Sequence, residues 1–136
     1  MEAARIAAVR GHRVSLYEKE KQLGGKLIPG GSHPFKRESR ELNKWYKSEL
    51  GKLPIDIHLG KNMTVSDLKV LGADVLILAL GSVPFVPDVS GLGDSRVSGC
   101  LEALANPGSI DQRVAVIGGG LVGCELALGY GQDGRR

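Results

Sequence analysis

The sequence predicts an α/β chain in which helices alternate with the strands of a parallel sheet. Three observations predict it. Helical spacing of apolar residues over Met1–Arg10 gives way to a short β-rich run over Arg13–Tyr17. Asp74-Val-Leu-Ile-Leu-Ala is a continuous apolar run, as expected for a strand covered on both faces. Arg113-Val-Ala-Val-Ile then leads without a break into Gly118-Gly-Gly-Leu-Val-Gly123, a strand meeting a glycine-rich turn that opens a helix.

Each element follows from its residues. Met1–Arg10 combines strong helix formers with apolar positions at Ala4, Ile6, Ala7 and Ala8, and Gly11 ends it. Arg13–Tyr17 alternates polar and apolar residues, is β-branched at Val14, and closes on Glu18. Residues 19–34 are rich in Gly, Pro and Ser and predict a long loop. Phe35, Leu42, Tyr46, Leu50 and Leu53 make one helical stripe over 35–53, with charges on the other faces. A short strand is expected at Ile55–Leu59, and a short helical turn opens at Thr64-Val-Ser-Asp. In GSVPFVPDVSGLG, Gly81 to Gly93, Pro84 and Pro87 exclude a regular helix or a central strand, so the chain should cross there in an extended form. A short strand at Arg96–Ser98, a helix at Leu101–Ala105, the strand at Arg113–Ile117 and a final helix over Cys124–Tyr130 complete the series.

Composition bounds the function. A chain of 136 residues, 42% hydrophobic and 24% charged, suits one ordinary domain or part of something larger. Its 20 glycines are about twice the usual share and sit between apolar runs, where they mark tight turns and close backbone approaches. The net charge of +3 is spread among interspersed acids and bases, with no basic stripe interleaved with aromatics, so no nucleic-acid partner is expected. Cys100 and Cys124 form no C-x-x-C and no Cys/His ligand spacing, so no local dithiol and no metal site are expected. No secretory leader is visible and the longest apolar run, Val75–Leu80, is far too short to span a bilayer; a cytoplasmic setting is the expectation. His12, His33 and His58 are scattered, and no acid/base pair or activated nucleophile stands out, so no catalytic residue is assigned.

The G-x-G-x-x-G spacing falls at Gly118, Gly120 and Gly123, after a β-rich run and at the head of a helix, which is the context this fingerprint needs. Gly118 allows the tight turn, Gly120 lets a pyrophosphate reach the backbone, and Gly123 lets helix and strand pack closely. Backbone N–H groups at the helix start, Leu121 and Val122 among them, then face the phosphates with the helix dipole behind them. The fingerprint's acid, about 20 residues onward, falls past Arg136, so NAD and NADP are not distinguished. Glu18 occupies the matching place in an earlier unit, at the end of a strand that follows a small-residue helix. Alone it reads as a solvated strand-end carboxylate; the paired arrangement favours ribose binding. Counting back about 20 residues places its glycine loop before Met1. The expectation is therefore a Rossmann-like α/β chain with parts of two dinucleotide-binding units: residues 1–93 an incomplete first unit with its crossover segment, and 94–136 the first βα unit of a second.

Four stretches carry a resemblance across nearly the whole chain and in family order: MEAARIAAVRGHRVSLYEKEKQLGGKL, PFKRESRELNKWY, DVLILALGSVPFVPDVSG and VAVIGGGLVGCELA. They resemble the C-terminal flavin and pyridine-nucleotide domain of the 2,4-dienoyl-CoA reductase and NADH:flavin oxidoreductase family, within the wider group of flavoproteins that carry two dinucleotide-binding folds. In that family Met1 would be an internal residue, so the resemblance implies a chain truncated at both ends, with residues 1–93 an incomplete FAD-binding region including the crossover segment and 94–136 the first βα unit of an NAD(P)-binding region. It implies that Glu18 binds the adenosine ribose of FAD, that Gly24, Gly25 and Lys26 lie along the flavin nucleotide, and that Met63 offers a backbone contact to adenine. Gly81 would be the glycine of an A-T-G stretch near FAD, although Ala79-Leu80-Gly81 lacks its hydroxyl. Lys26 stands where the family often has Gln. Glu125 would help set the second loop; read from the residues alone, it is a first-turn acid favoured by the dipole.

The implied chemistry passes electrons from NAD(P)H to FAD, and on to an FMN and an iron–sulfur cluster in an N-terminal barrel that this sequence does not contain. Two other readings stay open: a residual nucleotide-binding module without catalysis, and an interaction fragment whose sheet another chain completes. Without a first strand and glycine loop, the isolated chain is expected to hold FAD weakly or not at all.

Overall fold

The computed structural model describes residues 1–136. The chain forms two compact units, Met1–Ile28 with Glu38–Gly81, and Pro29–Arg37 with Ser82–Arg136.

In the first unit, helix α1 (Glu2–Val9) places Glu2 in its first turn, where an acid complements the dipole, and Arg5 pairs with it at 2.7 Å. Gly11 turns the chain out at φ +86°, with its N–H on the Ala8 carbonyl at 2.9 Å. Strand β1 (Val14–Glu18) follows and pairs in parallel with β2 (Ile55–Leu59), in register from Val14↔Ile55 to Glu18↔Leu59. The connection between them carries one helical turn, α2 (Leu27–Gly30), and the longer α3 (Arg37–Gly51). A parallel pair needs such a crossover, because a hairpin cannot bring the second strand round in the same direction. Ala4, Leu23 and Leu50 form the core, against Val14, Leu16, Ile55 and Ile57. Leu50 of the predicted stripe is 1% exposed, whereas Leu42 of the same stripe is exposed. Helix α4 (Val65–Val70) starts in a capping box in which Thr64 and Asp67 bond each other's backbone N–H groups.

In the second unit, α5 (Cys100–Ala105) and a 3-10 turn (Pro107–Ser109) pack beside α6 (Leu121–Gln132). Ala103, Leu126 and Tyr130 are its buried residues, with Cys100, Leu104, Ile110 and Val114 around them. Burial raises the Tyr130 phenol above its usual value. The Arg135 guanidinium lies over the Tyr130 ring at 5.0 Å and donates to the Pro107 carbonyl at 2.7 Å. The chain end is tied back by the Val114 N–H on the Arg136 carbonyl and the Arg136 N–H on the Gln112 carbonyl, at 2.7 and 2.8 Å.

Four expectations need correction. Asp74–Ala79 forms no strand and is not buried: Val75 is 76% exposed and Leu78 65%. Its apolar residues suit a doubly covered strand, but that state requires hydrogen-bonding neighbours, and the sheet contains β1 and β2 alone. Arg113–Ile117 likewise joins no ladder, and its Val114 N–H bonds the Arg136 carbonyl at the chain end instead. Arg96–Ser98 is irregular, because Asp94 accepts from both the Arg96 backbone N–H and its guanidinium and holds a local turn. The loop over 19–34 contains the turn α2, opened by bonds from the Leu27 and Ile28 N–H groups to the Gly24 and Gly25 carbonyls. No helix is long and apolar enough to cross a membrane.

Candidate nucleotide-binding site

The turn that opens α6 is built from glycines with different tasks. Gly118 adopts φ +110°, a conformation closed to other residues. A Cβ on Gly123 would collide with the Gly118 carbonyl oxygen, so helix and turn touch only because that position is bare. Gly120 differs: its φ of −74° and ψ of 179° suit any residue, and a Cβ there would meet nothing within 4 Å. Gly120 caps α6 with no side-chain hydrogen bond. The N–H groups of Leu121, Val122 and Gly123 therefore keep the unpaired state of a first helical turn, at the positive end of the dipole. Open space beside Gly120, bare amides and an enforced turn fit the pyrophosphate of a dinucleotide.

The structure joins Glu125 of α6 to Lys36, an ion pair 89 residues apart in sequence with side chains 25% and 29% exposed. One turn further along α6, a Cβ on Gly129 would run into the His33 ring, which stacks on Phe35 at 5.0 Å. Sequence reasoning missed Lys36: nothing local in PFKRE distinguishes it from the other surface lysines. The glycine at 129 is a weak signal of close packing, since it interrupts an otherwise good helix former run.

In the first unit, the Glu18 carboxylate closes β1 and accepts from the Glu20 N–H at 3.0 Å. The Lys61 N–H donates to the Glu18 carbonyl, and the Gly60 N–H to the Glu20 carbonyl, both at 2.9 Å. These bonds bring the ends of β1 and β2 together and set half-buried Met63 two residues beyond the contact with Glu18. Gly24 and Gly25 have φ of +135° and +49° and turn the chain into α2, with Lys26 exposed between. A Cβ on Gly24 would lie 2.7 Å from the Asn43 amide oxygen and 2.9 Å from Ile28. Gly81, at φ +74°, stands in open space at the end of the apolar run. No group of three or more His, Cys, Asp or Glu side chains converges as a metal site would require.

A β-rich segment, three spaced glycines and a helix opening on bare amides define a unit of the dinucleotide-binding class. The chain belongs to the pyridine nucleotide-disulphide oxidoreductase family, whose model matches residues 1–134. It is 42% identical to the cinnamate reductase of Clostridium sporogenes over 135 residues, which cover 99% of this chain and 20% of that protein. It is 36% identical to the NADH oxidase of Thermoanaerobacter brockii over 140 residues, covering 100% of this chain and 22% of that one. A solved structure of 2-naphthoyl-CoA reductase with 2-naphthoyl-CoA matches with a TM-score of 0.89 and 30% identity, over 99% of this chain and 20% of that one. The chain thus spans about a fifth of the length of the curated relatives it matches. These matches bear out both the resemblance to the 2,4-dienoyl-CoA reductase-like group and the partial Rossmann-like α/β class.

Proposed function

We propose that this chain supplies dinucleotide-binding parts of an NAD(P)H-dependent flavin oxidoreductase, acting in the cytoplasm with a further domain that carries the terminal substrate. The observation that carries the reading is the α6 turn, where Gly118 and Gly123 are required by the backbone while Gly120 is bare without any demand from the protein itself. A glycine with room around it, at the head of a helix, is explained by a ligand that must come close.

In this reading residues 94–136 hold the nicotinamide dinucleotide and residues 1–93 contribute to the FAD side. Leu121, Val122 and Gly123 donate backbone N–H groups to the pyrophosphate, while Gly118 and Gly120 admit it. The Glu18 carboxylate accepts from the adenosine ribose hydroxyls of FAD, Met63 offers backbone to the adenine, and Gly24, Gly25, Lys26 and Gly81 line the flavin nucleotide. The bound nicotinamide and flavin supply the hydride chemistry, and the protein supplies binding and orientation. The relatives' names, a cinnamate reductase and a 2-naphthoyl-CoA reductase among them, support reduction of an unsaturated substrate by the complete protein.

A second reading has its own observation. Val75, Ile77, Leu78 and Leu80 form an apolar edge, more than half exposed and outside any ladder. Such an edge favours completion of the sheet by a strand from another segment or chain. Calorimetric titration with ADP-ribose tests the first reading: binding is expected, with loss on Gly120→Ala. A chain that binds no ADP-ribose, but folds more tightly as its concentration rises, would favour the second.

A further inference from the structure

Glu125 presents a difficulty that Lys36 resolves. It is the only charged residue in α6. It lies five residues after Gly120, about 7.5 Å along the helix axis from the phosphate turn. A carboxylate at that depth opposes an incoming pyrophosphate, and a partly buried charge is poorly screened by salt. The Lys36 ammonium sits directly on it. The segment bearing Lys36 is seated on α6 again at Gly129, where the missing side chain makes room for the His33 ring. Two contacts one turn apart fix this segment along the helix.

We propose that Lys36 is a positioning residue of the nicotinamide-dinucleotide site: it neutralises and holds Glu125, so that the head of α6 presents a net positive field to the pyrophosphate. The proposal rests on the functional reading above. A full charge about 8 Å away, in a medium between protein surface and water, changes anion affinity about fivefold.

The test has two arms on the full chain. In the first, ADP-ribose binding is measured by calorimetry for the unaltered chain and for Lys36→Met, Lys36→Arg and the double variant Lys36→Met/Glu125→Gln. Lys36→Met should weaken binding about fivefold. Lys36→Arg and the double variant should restore it, which a merely structural lysine would not allow. The second arm needs no dinucleotide. Cys124 is exposed in the first turns of α6, and Cys100 is replaced by Ser. The ratio of Cys124 reaction rates with an anionic and a neutral aromatic disulfide reports the local field. That ratio should fall severalfold in Lys36→Met and recover in the double variant. An unmoved ratio overturns the proposal whatever the binding data show, as does a double variant no better than Lys36→Met. If the unaltered chain binds no ADP-ribose while the ratio still falls, the functional reading fails and the electrostatic role of Lys36 stands.

Discussion

Substituting two neighbouring glycines separates packing from ligand approach. In Gly123→Ala the new methyl is driven into the Gly118 carbonyl oxygen and lies 3.0 Å from its carbon. The obstacle is backbone, which cannot rotate aside, and Gly118 at φ +110° has little freedom to yield. Overpacking of this kind costs about 1–3 kcal/mol, or about a fivefold to hundredfold loss in the population of the intact turn. Amide hydrogen exchange across Leu121–Gln132 measures that loss directly, because it reads local opening of α6. In Gly120→Ala the methyl enters open space at an ordinary backbone conformation. The helix should lose about 1 kcal/mol at most, from exchanging Gly for Ala at the cap. ADP-ribose affinity should nevertheless fall more than tenfold, since the methyl stands where a phosphate must come close. The assays are exchange for the first effect and calorimetry for the second. If Gly123→Ala exchanges like the unaltered chain, the packing role is wrong. If Gly120→Ala binds ADP-ribose undiminished, the phosphate does not approach there.

Other perturbations give equally definite outcomes. Gly24→Ala should destabilise the first unit by about 1–3 kcal/mol in urea unfolding followed by Trp45 fluorescence, because the methyl meets Asn43 and Ile28 at a φ of +135°. Gly25→Ala meets nothing and should cost about 1–2 kcal/mol from its left-handed backbone alone, so a Gly25 variant worse than its neighbour would contradict the contact geometry. Hydrogen bonds from the Thr64 hydroxyl and N–H, at 2.7 and 2.8 Å, hold the Asp67 carboxyl below the ordinary carboxylate range. A depressed folded-state value stabilises above the unfolded carboxylate's range and is lost as pH falls through the folded one. Protection of the α4 amides should therefore drop on acidification and do so less in Thr64→Ala; identical pH profiles would exclude the capping box as the cause. Of the two G-x-G-x-x-G spacings, 118–123 and 129–134, only the first stands at the head of a helix, and none adjoins Glu18. The purified 136-residue chain should thus be colourless, and a stoichiometric flavin absorbance band would refute this.

What was legible in the sequence was whatever local chemistry decides. The helix over Met1–Arg10 ends at Gly11 because a left-handed residue is needed there; the final helix was legible over Cys124–Tyr130, but it starts three residues earlier, at Leu121, where Gly120 caps it. Strand β1 was legible because Arg13–Tyr17 alternates polar and apolar residues around β-branched Val14; its pairing with β2 was not. Asp74–Ala79 was misread for a physical reason. Its apolar residues record what the segment is suited to pack against, but a ladder exists only where a partner's N–H and C=O groups stand opposite. The site divides the same way. The spacing of Gly118, Gly120 and Gly123 is visible in one dimension, but their division into packing glycine and open glycine depends on where the Gly118 carbonyl points. The pairing of Lys36 with Glu125 across 89 residues is set by tertiary path alone and left no local mark.

The glycine turn at Gly118–Gly123 also shows which parts of this fold depend on the sheet. The segment before it, Arg113–Ile117, joins no ladder, and Ile117 is 79% exposed. Yet Gly118 keeps its positive φ, Gly123 stays against the turn, and α6 runs its full length from Leu121. The turn is thus specified by the helix it opens, by the bare positions within it, and by the packing of Leu126 and Tyr130 on Ala103. Nothing in its geometry requires a finished sheet. Affinity for the phosphate end of a dinucleotide should accordingly depend on α6 and its neighbours, whereas the exposure of Val75–Leu80 should respond to added strand partners. An experiment that supplied such a strand and changed protection at Val75–Leu80, while leaving ADP-ribose affinity unmoved, would separate the two in one sample. A coupled response would mean that the ladder, and not the helix, sets the turn.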